Sequence, residues 1–173
     1  GMTILAGDKA VVENPSLKST PPDSSAPRIT LRLTAQGDST GETTVVRYTN
    51  EAYAGKDRLD AYQLKPFRAE YALLASGMQG RDALFDLQSR PVPTVRDTLD
   101  LALDVTASGT YTLDTAALQG LPPGWKVILE HEETGARHDL GAGASVTFDV
   151  TAPASGASSS PATASPLQNG RPT

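Results

Sequence analysis

The stretch Thr98-Leu99-Asp100-Leu101-Ala102-Leu103-Asp104-Val105 decides the fold class. Leu99, Leu101, Leu103 and Val105 alternate with shorter or polar neighbours. A period of two places all four apolar side chains on one face of a strand. A helix would scatter them around its axis.

The same pattern recurs outward from this point. Ile29, Leu31 and Leu33 alternate with Thr30, Arg32 and Thr34, and the turn residues Gln36-Gly37-Asp38-Ser39 follow. Val46 and Tyr48 are the inward pair of a strand over Thr43 to Thr49. Shorter strand candidates lie at Ala69–Ala75 and Ala83–Leu87. Beyond Ser108-Gly109, Tyr111 and Leu113 continue the alternation. Trp125, Val127 and Leu129 form another inward row, as do Val146, Phe148 and Val150. Ala116-Ala117-Leu118 reads as a single helical turn closed by Gly120 and Pro122-Pro123-Gly124. No window carries a 3.6-residue amphipathic period. Short strands separated by Gly, Pro and Asp turns predict an all-β, antiparallel sandwich of jelly-roll or immunoglobulin-like type.

The domain limits follow from composition. Residues 1–27 are a lead-in with one short apolar patch, Ala10-Val11-Val12, and several prolines. That patch can add an edge strand but cannot form a core. Residues 28–150 carry the alternating strands. Residues 151–173 are rich in Pro, Ala and Ser with a single charge, Arg171. Such a tail cannot bury enough apolar area to offset chain entropy and reads as a disordered linker. Gly1 before Met2 reads as the scar of an expression tag.

Charge and composition narrow the function. The chain has 20 acidic and 15 basic residues and no basic cluster. Nucleic-acid binders concentrate Lys and Arg against phosphates, so no nucleic-acid partner is expected. No apolar run approaches the ~20 residues of a membrane helix, so no membrane insertion is expected. Absence of cysteine removes disulfides, thiolate zinc sites and cysteine nucleophiles.

One hairpin can be placed in register from its turn. A tight turn at Thr134-Gly135 pairs Glu132 with Arg137, His131 with His138 and Leu129 with Leu140. It sets the chain's two histidines opposite each other. A cross-strand pair of imidazoles is a reasonable start for zinc, although a site needs a further protein ligand. Glu133 lies too close to the turn to serve. The competing reading is two stacked imidazoles at the wet end of a hairpin. The segment Asn50–Leu64 is charged and irregular. Asp57 and Asp60 within it are candidate calcium ligands, but their spacing does not match a calcium-loop motif. The competing reading is a charged loop or a local ion pair, since oxygen-rich loops are common on surfaces.

No catalytic motif emerges. His131-Glu132 opens like a helical zinc-protease motif, but Gly135 stands where the second His is required. Gly141-Ala142-Gly143-Ala144 lacks the Lys and Ser/Thr of a phosphate loop. No enzymatic activity and no obligatory cofactor are expected. A sugar-binding surface would need exposed aromatic rings. Trp125 shares parity with Val127 and Leu129 and belongs to the core. Tyr53, Tyr62 and Phe67 lie in less regular sequence and are the platform candidates.

The segment from Leu99 to Val150 resembles a known family. Gly109-Thr110-Tyr111-Thr112-Leu113, Leu121-Pro122-Pro123-Gly124, Val127-Ile128-Leu129-Glu130, Thr134-Gly135, Asp139-Leu140 and Val146-Thr147-Phe148 follow its order of turns and strands. The family is the β-sandwich accessory domain near the C-terminus of secreted or cell-surface Bacteroidota proteins, ahead of the type IX secretion sorting tail. Ile29–Leu33, Thr44–Tyr48 and Asp60–Leu64 match it more loosely. Glu130 stands where such domains often carry Asp, and no sorting tail is recognisable after Thr151. The resemblance implies a secreted or cell-surface bacterial accessory module with no active site. Its implied partners are neighbouring domains of the same polypeptide, or surface glycans.

Overall fold

The computed structural model describes residues 25–67, 69–77, 83–132, 134–152 and 164–166. The expected edge strand at Ala10–Val12 lies outside them, as does most of the expected tail. The described chain is all-β. Its strands are β1 (Arg28–Ala35), β2 (Gly41–Tyr48), β3 (Ala61–Tyr62), β4 (Ala72–Gly77), β5 (Leu84–Arg90), β6 (Asp100–Val105), β7 (Gly109–Gln119), β8 (Ile128–Glu130), β9 (Arg137–Asp139), β10 (Ser145–Val150) and β11 (Ala164–Pro166).

Nine strands form one sheet in the order β11-β10-β7-β1-β2-β5-β4-β6, with β3 pairing β5 off this path; β8 and β9 form a separate two-stranded sheet. The large sheet is mixed rather than purely antiparallel. Val45–Tyr48 of β2 run parallel to Leu87–Arg90 of β5. Residues 49–83 lie between these strands, long enough to return the chain to the same end of the sheet. β5 then changes partners along its length, meeting β4 through Phe85 and Leu84.

The sheet curls. β4 contacts both β1 and β2 although β5 separates them in the hydrogen-bonded order. Ile29, Leu31, Leu33, Val46, Leu74, Val105, Leu113 and Phe148 therefore share one core. Leu140 is 1% exposed and belongs to it, and Leu129 of β8 packs against it with Trp125 and Val127 from the segment leading into β8. The Trp125 ring meets Tyr48 edge-on, with centroids 5.4 Å apart. Trp125 is thus partly buried and packs against the core, on the face its parity predicts.

Two local expectations fail. Ala116-Ala117-Leu118 belongs to β7, where Ala117 pairs Thr30 and Leu118 pairs Ile29. Ala116 is the extra residue of a bulge between the Thr30 and Leu31 pairings. Three helix-favouring residues cannot repay the cost of nucleating a turn, and β1 offers them a ladder instead.

The β8–β9 hairpin is offset by two residues from its expected register. Leu129 pairs His138 and Glu130 pairs Arg137. A two-residue turn at Thr134-Gly135 would need positive φ at Thr134, or glycine there. No described non-glycine residue has positive φ, whereas Gly135 sits at +64°. The loop therefore widens. Gly135 N–H donates to the His131 carbonyl at 2.8 Å, and His131 N–H to the Ala136 carbonyl at 2.9 Å. Because the offset is two residues and not one, every side chain keeps its predicted face. Leu129 and Leu140 still point inward; only their partners change.

Candidate functional site

The charged segment after β2 turns the carboxylates of Asp57 and Asp60 onto the chain's own backbone. Asp57 accepts from Tyr53 N–H at 2.9 Å and from Leu59 N–H at 2.6 Å. Asp60 accepts from Asp57 N–H at 2.9 Å and from Ser89 N–H at 2.7 Å. Both oxygens of both side chains are thereby used. The Ser89 hydroxyl donates to the Leu59 carbonyl at 2.9 Å, and Arg47 Nη2 donates to Ser89 Oγ at 3.0 Å. Asp60 and Ser89 clasp the loop to β5. The local ring of Asp57, Leu59 and Asp60 is the short-range bonding Asp favours over regular structure.

A second pair continues the clasp. Arg90 forms a two-pronged ion pair with Asp97, and both side chains are largely buried. The Tyr48 hydroxyl faces them. Burial, then the nearby Asp97 carboxylate, raise its pKa well above the ordinary 10.0, and the Arg90 charge only partly offsets this. Asp97 likewise holds the Arg90 guanidinium above its usual range, chiefly through their hydrogen bonds. Nothing in the residue order announces this pair. Pro91 and Pro93 mark an extended linker, and only the folded chain shows Asp97 returning to Arg90.

The histidines are not opposite each other. His138 faces Leu129, and His131 lies beside Ala136 at the turn. The backbone N–H of Thr134 donates to His131 Nδ1 at 3.3 Å, so that ring nitrogen helps close the wider loop. Among the described residues, no three His, Asp or Glu side chains gather closely enough to hold a metal ion. The four candidate metal residues fall into two separate places, Asp57 with Asp60 in the clasp and His131 with His138 in the hairpin.

The three platform aromatics are all exposed, Tyr53 by 73%, Tyr62 by 48% and Phe67 completely. Their settings differ. The Tyr62 ring stacks on buried Phe85, with centroids 5.4 Å apart and planes 15° from parallel. The Lys56 ammonium lies 4.5 Å from its centroid. A sugar ring seeking Tyr62 would have to displace Lys56. Beside Tyr62 lies an open pocket of about 210 Å³. Gln63, Lys65, Leu73, Ala102 and Asp104 line it, and none of them stands out in the residue order. Lys65 Nζ lies 3.0 Å from Asp104 Oδ2.

No family model, curated protein or solved structure matches this chain. Its function must be argued from its own residues. Among the described residues, no helix is long and apolar enough to cross a membrane.

Proposed function

We propose that the chain is a non-catalytic structural module of a secreted or cell-surface bacterial protein, serving to hold neighbouring domains of the same polypeptide. We read its finer architecture as a sandwich, with the small β8–β9 sheet closing the mouth of the curled one. The order of turns and strands over Leu99–Val150 supports the setting.

One observation carries the functional reading. The candidate carboxylates Asp57 and Asp60 are turned onto the fold, and so is Asp97. Asp57 and Asp60 satisfy four backbone N–H groups, and Asp97 satisfies Arg90. Each of these oxygens already accepts a backbone N–H or a guanidinium N–H, which aims it at the chain rather than at a substrate or metal. Chromogenic ester, glycoside, phosphoester and peptide substrates offered to the full chain should give no turnover above buffer. Sustained turnover that disappears in Asp60→Asn or His138→Ala would contradict the reading.

A glycan-binding or adhesion role is the second reading, favoured by the exposure of Tyr53 and Phe67. Loss of glycan-array binding in Tyr53→Ala or Phe67→Ala would support it. A silent array leaves the structural reading alone.

A further inference from the structure

The face of β4 and β6 turned away from the core carries an unusual pairing of burial and charge. The registers Leu73↔Asp104, Ala75↔Ala102 and Gly77↔Leu84 put these side chains on one face. Leu74, Leu101, Leu103 and Val105 occupy the other, against the core. Leu73 and Ala75 are nonetheless only 5% and 2% exposed. The segment after β3 crosses above them, anchored by Gln63 N–H to the Leu84 carbonyl at 3.0 Å. It covers the face incompletely, and the pocket is the gap that remains.

The gap has an apolar floor and a polar rim. Small side chains, Ala75 and Ala102, leave the floor open, and Leu73 and Leu84 wall it. At the rim, the Lys65 ammonium and the Asp104 carboxylate stand side by side. Tyr71 steadies the carboxylate, its hydroxyl donating to Asp104 Oδ2 at 3.4 Å. Gln63 lines the same gap; its Nε2 donates to the Leu64 carbonyl at 3.3 Å. Its Oε1 is screened from solvent and has no donor.

These features select a chemical class. An anion drawn by Lys65 meets Asp104, and a cation drawn by Asp104 meets Lys65. The paired charges favour a neutral guest. A purely apolar guest would strip water from both charges and return nothing. A hydroxyl both donates and accepts. Two adjacent hydroxyls can therefore accept from Lys65 and donate to Asp104. The C–H face of such a ring suits an apolar floor.

We infer that this pocket binds a single neutral sugar ring, such as the terminal residue of a glycan. The inference rests on the glycan-binding reading but moves the contact from Tyr53 and Phe67 to the Lys65–Asp104 rim. The test is an amide NMR titration of the full chain with glucose, galactose, mannose and N-acetylglucosamine, run beside a glycan array. Saturable shifts at Gln63, Lys65, Ala102 and Asp104 are expected with at least one sugar. Ala102→Leu fills the floor and Lys65→Ala removes one rim group; each should weaken binding by ~10-fold or more. Lys65 is exposed, so its variant should fold even if Ala102→Leu does not. Array binding with shifts at Tyr53 or Phe67, unchanged in both variants, would overturn the pocket and leave the glycan reading standing. Silence in array and titration alike would overturn both.

Discussion

Two regions of this molecule hold their chain by opposite means. Under β1, β7 and β10, alternating aliphatic and aromatic side chains form a core, and the residues between them face out. Along the loop that follows β2, carboxylates and hydroxyls bond the chain to β5 with little apolar cover. The first region is non-directional and tolerates changes of partner. The second depends on single atoms. The contrast teaches why one half of the fold can be read from periodicity and the other cannot.

The largest expected effect breaks the aliphatic half. Leu33 is 1% exposed. Leu33→Ala should cost about 3 kcal/mol, transfer and cavity contributions together, measured by urea unfolding. A cost below about 1 kcal/mol would mean that this core is not close-packed.

The polar half should break almost as hard at one residue pair. Asp97→Ala leaves Arg90 largely buried without its partner and should cost about 3 kcal/mol. Replacing both residues by apolar ones of similar shape should recover much of that loss. If the single variant is as stable as the parent, the ion pair is not formed in solution.

Alkaline pH sharpens the comparison without a mutation, because Tyr48 touches both regions. Its folded-state pKa lies above the unfolded value of 10.0. Above that pH the unfolded state releases a proton that the folded state keeps. Its contribution is therefore complete below pH 10 and falls as pH rises, by up to about 1.4 kcal/mol per unit, less where water reaches the hydroxyl. Tyr48→Phe should flatten this slope. An equal slope in both proteins would assign it elsewhere.

The smallest effect tests the hairpin. Arg137 Nε lies 3.3 Å from Glu130 Oε2, and both side chains are mostly exposed. A double-mutant cycle on this pair should give about 0.5 kcal/mol of coupling. The same cycle on Glu132 and Arg137 should give none. Reversed results would restore the tight turn at Thr134-Gly135.

The legible parts share a cause. Ile29, Leu31 and Leu33, and again Val146, Phe148 and Val150, show their face because the period of a strand is visible in residue order. The hairpin kept its faces for that reason and lost its register because turn geometry depends on φ at Thr134 and Gly135. The parallel β2–β5 pair leaves no local mark, since it joins residues 42 positions apart. The Ala116 bulge is not legible in the residue order, because alanine speaks for a helix only when enough neighbours do. Among the candidate site residues, exposure of Tyr53, Tyr62 and Phe67 followed from their irregular setting. Occupation of the Tyr62 ring by Phe85 and Lys56 did not, and neither did the meeting of Lys65 with Asp104. Each is a contact between segments that periodicity treats separately.

On the proposed reading the charged loop is a clasp of the fold rather than a cation site. Urea unfolding of the parent chain and Asp60→Ala, with and without saturating calcium, tests it most directly. Two backbone donors lose their acceptor in the variant, so a loss of about 1–3 kcal/mol is predicted, the same in both media. Calcium that stabilises the parent and leaves Asp60→Ala unchanged would contradict the account.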